Sequence, residues 1–146
     1  KKDDFLELTG PYGKYQVNKT ENKLLFIAAG TGVAPFRGMI MDYLAENPKA
    51  RVTLVFGFRN DFYFIEDFKV LEDKYPNFEV MGCPTGESKD WRGLRGRVTE
   101  HLVELIRDNI GQEVYICGPK QMVEDVKSIL LEKMNFQKSQ IRIEEW

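Results

Sequence analysis

The segment LLFIAAGTGVAPFRGMI, from Leu24 to Ile40, combines residue types suited to holding a phosphate. Its apolar run ends in Gly30-Thr31-Gly32, and Pro35 opens a stretch with helical spacing. Glycines let the backbone turn sharply and leave bare N–H groups within reach of a phosphate, and the start of the following helix attracts the anion. Glycines in such a turn can also serve bending alone. From these residues, phosphate binding and simple chain reversal both remain open.

Two general phosphate motifs do not fit this turn. A P-loop needs Gly-Lys-Ser or Gly-Lys-Thr, which the segment lacks. The general dinucleotide fingerprint needs a third glycine where Pro35 stands and an acidic residue after the second strand, which instead ends in Gly57-Phe58-Arg59. Neither general motif therefore explains the turn.

A second candidate for chemistry is the thiol of Cys117, which is followed by Gly118 and Pro119. A cysteine at the end of a strand, before a helix-starting proline, would point into the same crevice as the glycine turn. The alternative is a buried, inert cysteine, the commonest state of a lone thiol. No base adjoins Cys117, because the single histidine, His101, falls within a predicted helix and is expected to face solvent. We therefore do not predict a covalent nucleophile.

Apolar runs alternate with helical patterns along the chain. Strands are predicted at 23–29, 51–58, 77–83, 113–118 and 140–146, and helices within 33–48, 64–75, 97–109 and 119–134, with Pro119 at the first helical position of the last. Helical spacing groups Phe36, Ile40, Tyr43 and Leu44 on one apolar face and Phe64, Phe68 and Leu71 on another. This alternation predicts an α/β fold, a doubly wound five-stranded parallel sheet with helices on both faces. Such sheets bind ligands beyond the carboxyl ends of their strands, so the loops after residues 29, 57, 82 and 117 form the candidate site.

Composition excludes several other classes of protein. The 146 residues are 42% apolar, enough for one domain with a hydrophobic core. A net charge of −2 gives no indication of a nucleic-acid or anionic-membrane partner, and no apolar run approaches the ~20 residues that a membrane-spanning helix needs. With one histidine and two separated cysteines, no metal site is expected. Unpaired cysteines predict a cytoplasmic protein, and the missing initiator Met indicates a fragment of a longer one.

Several ordered motifs resemble the nicotinamide-nucleotide domain of the ferredoxin–NADP reductase superfamily, which includes cytochrome b5 reductases, oxygenase reductase components and diflavin reductases. AAGTGVAPFRG (28–38) resembles the family's pyrophosphate turn, including its proline. VFGFRNDFYFIEDF (55–68), DWRGLRGRV (90–98) and VYICGPKQMV (114–123) resemble further family segments, the last being the most specific. GPYG (10–13) is similar to the end of the flavin-binding barrel. The resemblance implies that residues 1–20 are the tail of that barrel or an interdomain linker, and that residues 21–146 are the nicotinamide-dinucleotide-binding domain.

The resemblance also implies a role for each matching residue. The implied cofactor-binding residues are Gly30, Thr31, Gly32, Pro35, Phe58, Arg59, Cys83, Gly118, Pro119 and Met122. Thr31 and Cys117 are the implied catalytic residues: Thr31 supplies a hydroxyl, and Cys117 lies near the nicotinamide C4 and helps position the ring for hydride transfer to the flavin N5. Tyr12 and Trp146 are candidate flavin-facing residues. For Trp146 the alternative is packing at a boundary of a chain that continues.

The choice of nicotinamide cofactor is open, with NADH favoured over NADPH. NADPH-using members of the family place Ser-Arg after the third strand, where the guanidinium binds the 2′-phosphate. This chain has Cys83-Pro84 in that loop. Lys89, Arg92 and Arg95 follow and are either alternative phosphate ligands or solvated loop charges. The family's Arg-x-Tyr-Ser/Thr flavin motif is absent, so FAD is expected on a separate flavin-binding domain of the same protein.

The resemblance therefore predicts the NAD(P)H-binding half of an FAD-dependent oxidoreductase. Such a domain positions nicotinamide for hydride transfer to FAD, from which electrons pass to a protein acceptor: a ferredoxin, a heme protein or an oxygenase. Two alternatives remain open. One is a non-catalytic module that senses dinucleotides, and the other is a structural docking domain whose glycines serve only the turns.

Overall fold

The computed structural model describes residues 5, 7, 9–10, 15–19, 21–87, 91–106 and 110–145. In these residues, strands and helices alternate in the order β1 (Lys23–Ala29), α1 (Val33–Glu46), β2 (Arg51–Phe58), α2 (Ile65–Lys74), β3 (Phe78–Pro84), α3 (Val98–Leu105), β4 (Glu113–Gly118), α4 (Lys120–Ser128) and β5 (Ile141–Glu145). Short 3₁₀ turns occupy Gly30–Gly32 and Lys138–Gln140, and a π-helical turn, Ile129–Lys133, continues α4.

All paired strands of the sheet are parallel, and their order is β3-β2-β1-β4-β5. The chain builds outward from β1 to β3 and then crosses back to place β4 on the other side of β1. The winding direction therefore reverses between β1 and β4, and the gap between their carboxyl ends is the switch point at which such sheets bind ligands. The predicted doubly wound parallel sheet is confirmed.

Helices cover both faces of the sheet, and each face has its own hydrophobic cluster. On one face α1 packs Phe36 against Phe26 of β1, with ring centroids 4.9 Å apart. On the other face, Leu102 of α3 and Val126 of α4 are buried with Ile27 of β1. Because neighbouring residues of a strand point to opposite faces, the continuous apolar run of β1 contributes to both clusters.

Phe64 departs from the helical face predicted for it. Its backbone is left-handed, with φ of 61°, its side chain is 41% exposed, and α2 begins one residue later. The Phe64 ring instead lies under the guanidinium of Arg37, whose carbon is 5.4 Å from the ring centroid. Arg37 also pairs with Asp67 at 2.7 Å. The helical position predicted for Phe64 is therefore wrong, because the residue precedes α2 and its left-handed backbone directs the ring towards solvent and Arg37.

Three features of the other helices also differ from the prediction. Pro119 is extended, with ψ of 139°, so it caps α4 from outside instead of occupying its first helical position. The α-helical part of α4 ends at Ser128, where the π-helical turn begins. His101 is only partly exposed, because its Nε2 lies 2.6 Å from the backbone oxygen of Arg95. Residues 107–109 of the predicted third helix lie outside the described residues.

Candidate dinucleotide-binding site

The glycine turn after β1 lies directly against the carboxyl end of β4. A Cβ atom at Gly32 would be only 2.6 Å from the carbonyl carbon of Cys117 and 2.8 Å from the Cα of Gly118. Both neighbours are backbone atoms, so they have no flexible end that could move aside. The two strand ends can therefore approach this closely only because residue 32 has no side chain.

Gly30 serves the same turn in a different way. Its φ is +56°, a conformation that residues with a side chain rarely adopt, and the space around its Cα is open. Thr31 is exposed at the tip of the turn, and the partly buried Pro35 lies in the first turn of α1. The fourteen-residue helix α1 then begins at Val33, so its positive end faces the switch point. This arrangement suits an anion held by backbone N–H groups.

A cleft of about 370 Å³ opens at this edge of the sheet. Its lining comes from four strand-end regions: Ala29, Gly30, Gly57, Phe58, Arg59, Thr85, Arg97, Val98, Thr99, Pro119, Gln121, Met122 and Asp125. The structure thus brings together five of the residues named from the sequence: Gly30, Phe58, Arg59, Pro119 and Met122. Gly32 and Gly118 are buried behind this lining, where they form the contact between β1 and β4.

Hydrogen bonds beyond the strand ends shape the wall of the cleft next to β2 and β3. The backbone N–H of Thr85 donates to the carbonyl of Phe58 at 2.9 Å, and that of Gly86 donates to Arg59 at 2.8 Å. The N–H of Gly96 donates to Pro84 at 2.9 Å, which returns the long loop after β3 to the sheet just before α3 begins. This return brings the start of α3 into the cleft.

Sequence reasoning missed the residues that this loop delivers. Arg97 and Thr99 line the cleft at the start of α3, and Gln121 and Asp125 line it from α4. Arg92 and Arg95, which were candidates for binding a phosphate, are not among the lining residues, and Arg95 donates from Nη2 to the backbone oxygen of Trp91 at 3.3 Å. One feature of the sequence could have indicated Arg97: it lies at the start of a predicted helix that follows a strand, and such helices begin at the carboxyl edge of the sheet.

The cleft carries two cationic side chains and one acidic one. Within the described part of the chain, neither Arg59 nor Arg97 forms an ion pair with a carboxylate. Asp125 accepts a hydrogen bond from Nε2 of Gln121 at 2.9 Å. The two guanidinium groups give the cleft a positive potential that favours an anionic ligand.

Phe58 occupies a cluster of aromatic rings at the end of β2. Its ring centroid lies 5.0 Å from that of Phe62 and 5.3 Å from that of Trp91. Trp91 crosses β3 at Gly82, where a Cβ atom would lie 2.6 Å from the indole ring. Phe58 is only 5% exposed, so most of its ring supports the edge of the cleft from the α1 face of the sheet.

The two cysteines, both fully buried, lie on opposite faces of the sheet. Cys117 is level with Ala28, whereas Cys83 is level, through Gly57, with Ala29. Because successive side chains of a strand point to opposite faces, this offset of one residue places the two cysteine side chains on opposite faces of the sheet. Cys117 belongs to the cluster under α1, behind the turn that contacts Gly32, whereas Cys83 belongs to the cluster under α3. The structure therefore does not bring the Cys83 side chain to the cleft, because α3 covers it.

Burial determines the protonation state of both thiols. Burial, with a smaller effect from Glu144, raises the pKa of Cys117 to about 12. Burial, with a smaller effect from Glu100, raises the pKa of Cys83 to about 11. Both groups are protonated thiols at neutral pH, and a thiol is a poor nucleophile. The side chain of Cys117 can therefore contribute shape and packing, in agreement with the absence of an adjacent base.

These thiols make stability sensitive to alkaline pH. In the unfolded chain they ionise near their ordinary pKa of 9.0, below their folded-state values of about 12 and about 11. Their stabilising effect is complete below about pH 9 and is lost as the pH rises through the folded-state values. Urea unfolding should therefore give a lower free energy at about pH 11 than at about pH 8. The double variant Cys83→Ala, Cys117→Ala should lose less, and an equal loss would contradict this assignment.

The comparisons with known proteins agree with this geometry. Residues 26–128 match the family model described as the oxidoreductase NAD-binding domain. The chain belongs to this family. It is 31% identical over 141 residues to the reductase component DmpP of phenol 2-monooxygenase from Pseudomonas sp. (strain CF600), covering 92% of this chain and 40% of that protein. It is 32% identical over 132 residues to a component of the Na⁺-translocating NADH-quinone reductase of Psychrobacter cryohalolentis, covering 84% of this chain and 32% of that component.

Solved structures show the same relationship. The reductase GcoB of an Amycolatopsis cytochrome P450 superposes with a TM-score of 0.80 at 27% identity, over 93% of this chain and 42% of that one. The FAD/NAD-binding domain of a nitric oxide dioxygenase from Vibrio cholerae gives a TM-score of 0.80 at 25% identity, over 93% and 56% of the two chains. The resemblance to ferredoxin reductase-like NAD-binding domains of flavoprotein oxidoreductases is confirmed. The chain spans two fifths or less of the length of these two curated relatives.

Some sequence-based expectations lie beyond these observations. Tyr12, Trp146 and Lys89 fall outside the described residues, and the division of the chain at residue 20 stays a prediction.

Across the described ranges, no helix has the length and apolar character needed to cross a bilayer. Over the same ranges, His, Cys, Asp and Glu side chains do not gather into a group that could hold a metal ion.

Proposed function

We propose that this domain binds NADH in the cleft at the switch point and presents the nicotinamide to an FAD held by a flavin-binding domain of the same protein. The observation that carries the proposal is the backbone contact between Gly32 and the Cys117–Gly118 turn. This contact joins the carboxyl ends of β1 and β4 into one surface, and the space around Gly30 in the same turn is open. A dinucleotide needs such a surface, because its pyrophosphate must approach the backbone closely.

The residues of the cleft fit the two halves of a dinucleotide. Gly30, Thr31 and the start of α1 would hold the pyrophosphate, and the turn at Cys117 would border the nicotinamide. On the other side, Arg59, Arg97 and Met122 would border the adenosine half, where a guanidinium can stack on a base or bind a phosphate. The bound cofactor would supply a hydride, and the protein would contribute orientation and exclusion of water.

The acceptor and the location in the cell are parts of the same proposal. The relatives include an oxygenase reductase component and an NADH-quinone reductase component, and one solved neighbour is a cytochrome P450 reductase. A redox protein that takes electrons from the flavin, such as a ferredoxin, heme protein or oxygenase, is the corresponding partner here. We place this reaction in the cytoplasm, because reduced cysteines are favoured there.

Calorimetric titration of the chain with NAD⁺ and with NADP⁺ tests cofactor choice. We expect NAD⁺ to bind more tightly, by about tenfold, because no arginine directly follows β3 to bind a 2′-phosphate. Tighter binding of NADP⁺ would contradict the preference for NADH. It would assign phosphate recognition to Arg97 or Arg59. Arg97→Gln or Arg59→Gln should then lose that binding, whereas Arg92→Gln, outside the cleft lining, retains it. The absence of binding by either dinucleotide would contradict the proposed site.

A further inference from the structure

A short segment before β1, residues 15–18, packs against β4 on the same face of the sheet as α1; we name it the strap. The ring of Tyr15 packs edge-on against Tyr115 of β4, with centroids 5.9 Å apart, and lies 6.2 Å from the ring of Phe36. Tyr15 and Val17 pack against the hydrophobic cluster that contains Cys117. The strap therefore forms part of the cover that leaves Tyr115 and Cys117 fully buried.

The first hydrogen-bonded attachment of the strap is at the carboxyl end of β4. The hydroxyl of Tyr15 donates to the carbonyl of Ile116 at 3.1 Å and lies 3.4 Å from the carbonyl of Arg142 in β5. Ile116 immediately precedes Cys117, so this hydroxyl holds the last backbone group before the turn that contacts Gly32. Burial, followed by the nearby Cys117 and Glu144, raises the pKa of Tyr15, so it remains a donor at neutral pH.

The second attachment is at Tyr115, which precedes Ile116 in β4, and it completes a closed set of polar contacts that we name the circuit. The backbone N–H of Asn18 donates to the hydroxyl of Tyr115 at 2.8 Å, and that hydroxyl donates to Oε2 of Glu113 at 2.6 Å. The carboxylate of Glu113 is buried and pairs with Nη2 of Arg142 at 2.9 Å. Arg142 is the residue whose carbonyl lies at the Tyr15 hydroxyl. The strap is thus held at two points by one connected polar network, and its orientation on β4 is defined.

We propose that Tyr15 is a positioning residue for hydride transfer. The inference rests on the proposed function and on the assignment of residues 1–20 to the flavin side of the protein. Tyr15 connects the segment arriving from that side to the backbone of Ile116, one residue before the nicotinamide-side turn. It thereby sets the position of this turn relative to the flavin, whereas Met122, which lines the cleft at the proposed adenosine half, packs against the cluster on the opposite face of the sheet.

Tyr15→Phe in the intact flavoprotein tests this assignment. The variant keeps the packed ring and removes only the hydroxyl, so the fold is expected to persist. We expect the rate of flavin reduction at saturating NADH to fall about tenfold, since small displacements of reacting groups have large effects. The dissociation constant for NAD⁺ should stay within about twofold, and the deuterium isotope effect with 4-deuterated NADH should show that hydride transfer limits the slower rate.

Tyr63→Phe is the matched control, because Tyr63 is 46% exposed and lies outside the strap and the cleft lining. It should reduce flavin at the wild-type rate. A wild-type rate in Tyr15→Phe would overturn the inference, and so would a change confined to KM or to thermal stability. A wild-type protein that binds NADH but does not reduce its flavin would overturn the proposed function, and the inference with it. The proposed function alone survives if the wild type is active and Tyr15→Phe matches it.

Discussion

Replacing Gly32 with alanine is expected to weaken NAD⁺ binding by about tenfold to a hundredfold. The new Cβ would lie 2.6 Å from the carbonyl carbon of Cys117, so β1 and β4 must separate at the switch point. Overpacking of this kind costs roughly 1–3 kcal/mol, and it acts on the surface proposed to hold the pyrophosphate. Calorimetric titration measures the affinity, and urea unfolding measures the accompanying loss of stability.

Gly38→Ala is the control for the Gly32 variant. Gly38 lies inside α1, and a Cβ atom there would meet no neighbour within 4 Å. Alanine should therefore leave NAD⁺ affinity unchanged and stabilise the helix by about 0.5–1 kcal/mol. If Gly32→Ala bound NAD⁺ as tightly as Gly38→Ala, the turn would serve only to bend the chain.

Cys117→Ala is expected to slow flavin reduction in the intact flavoprotein by about tenfold to a hundredfold at saturating NADH. The thiol is buried and protonated, so its contribution is to fill and shape the turn at the nicotinamide side. Loss of the sulfur would let the ring and the turn settle in other positions. Stopped-flow measurement of flavin bleaching gives this rate separately from binding.

Cys83→Ala is the matched control, since Cys83 is equally buried but lies on the opposite face under α3. Both variants remove one buried sulfur, so a general loss of packing affects them alike. We expect Cys83→Ala to reduce flavin at the wild-type rate. Equal rates in wild type, Cys83→Ala and Cys117→Ala would favour a module that senses dinucleotides without positioning them for chemistry.

Much of the fold was predictable, because parallel strands that are buried on both faces are near-continuous apolar runs. Such runs predicted β1, β2 and β4 with the bounds observed, and β3 and β5 to within one residue. Helix ends were harder, because they depend on local backbone geometry. Phe64 has the apolar character of a core residue, yet its left-handed backbone directs it outward. The π-helical turn at Ile129–Lys133 likewise has no simple signature in residue type.

The site was predictable only as far as local motifs extend. The glycine turn and Cys117-Gly118-Pro119 are each a continuous stretch at the end of a strand. Their approach could therefore be predicted from the rule that parallel strands share a carboxyl edge. The faces of the two cysteines could not, because they depend on register between strands that are distant in sequence. Arg97 reaches the cleft through the hydrogen bond between Gly96 and Pro84, a contact that closes a long loop whose path no local pattern defines.

The circuit that holds the strap also bears on how such domains can be exchanged between proteins. It joins Tyr15 to Arg142, which are 127 residues apart in the chain, so the two ends of the unit depend on each other. A recombination junction at residue 20 would exchange the Tyr15 side chain that contacts the carbonyls of Ile116 and Arg142, and with it the Tyr15 and Val17 side chains that pack on the cluster containing Cys117. A junction before residue 15 would transfer the circuit whole. For this family member, the unit that can be exchanged as a whole therefore includes the strap, which precedes β1, and not only the residues from β1 onwards.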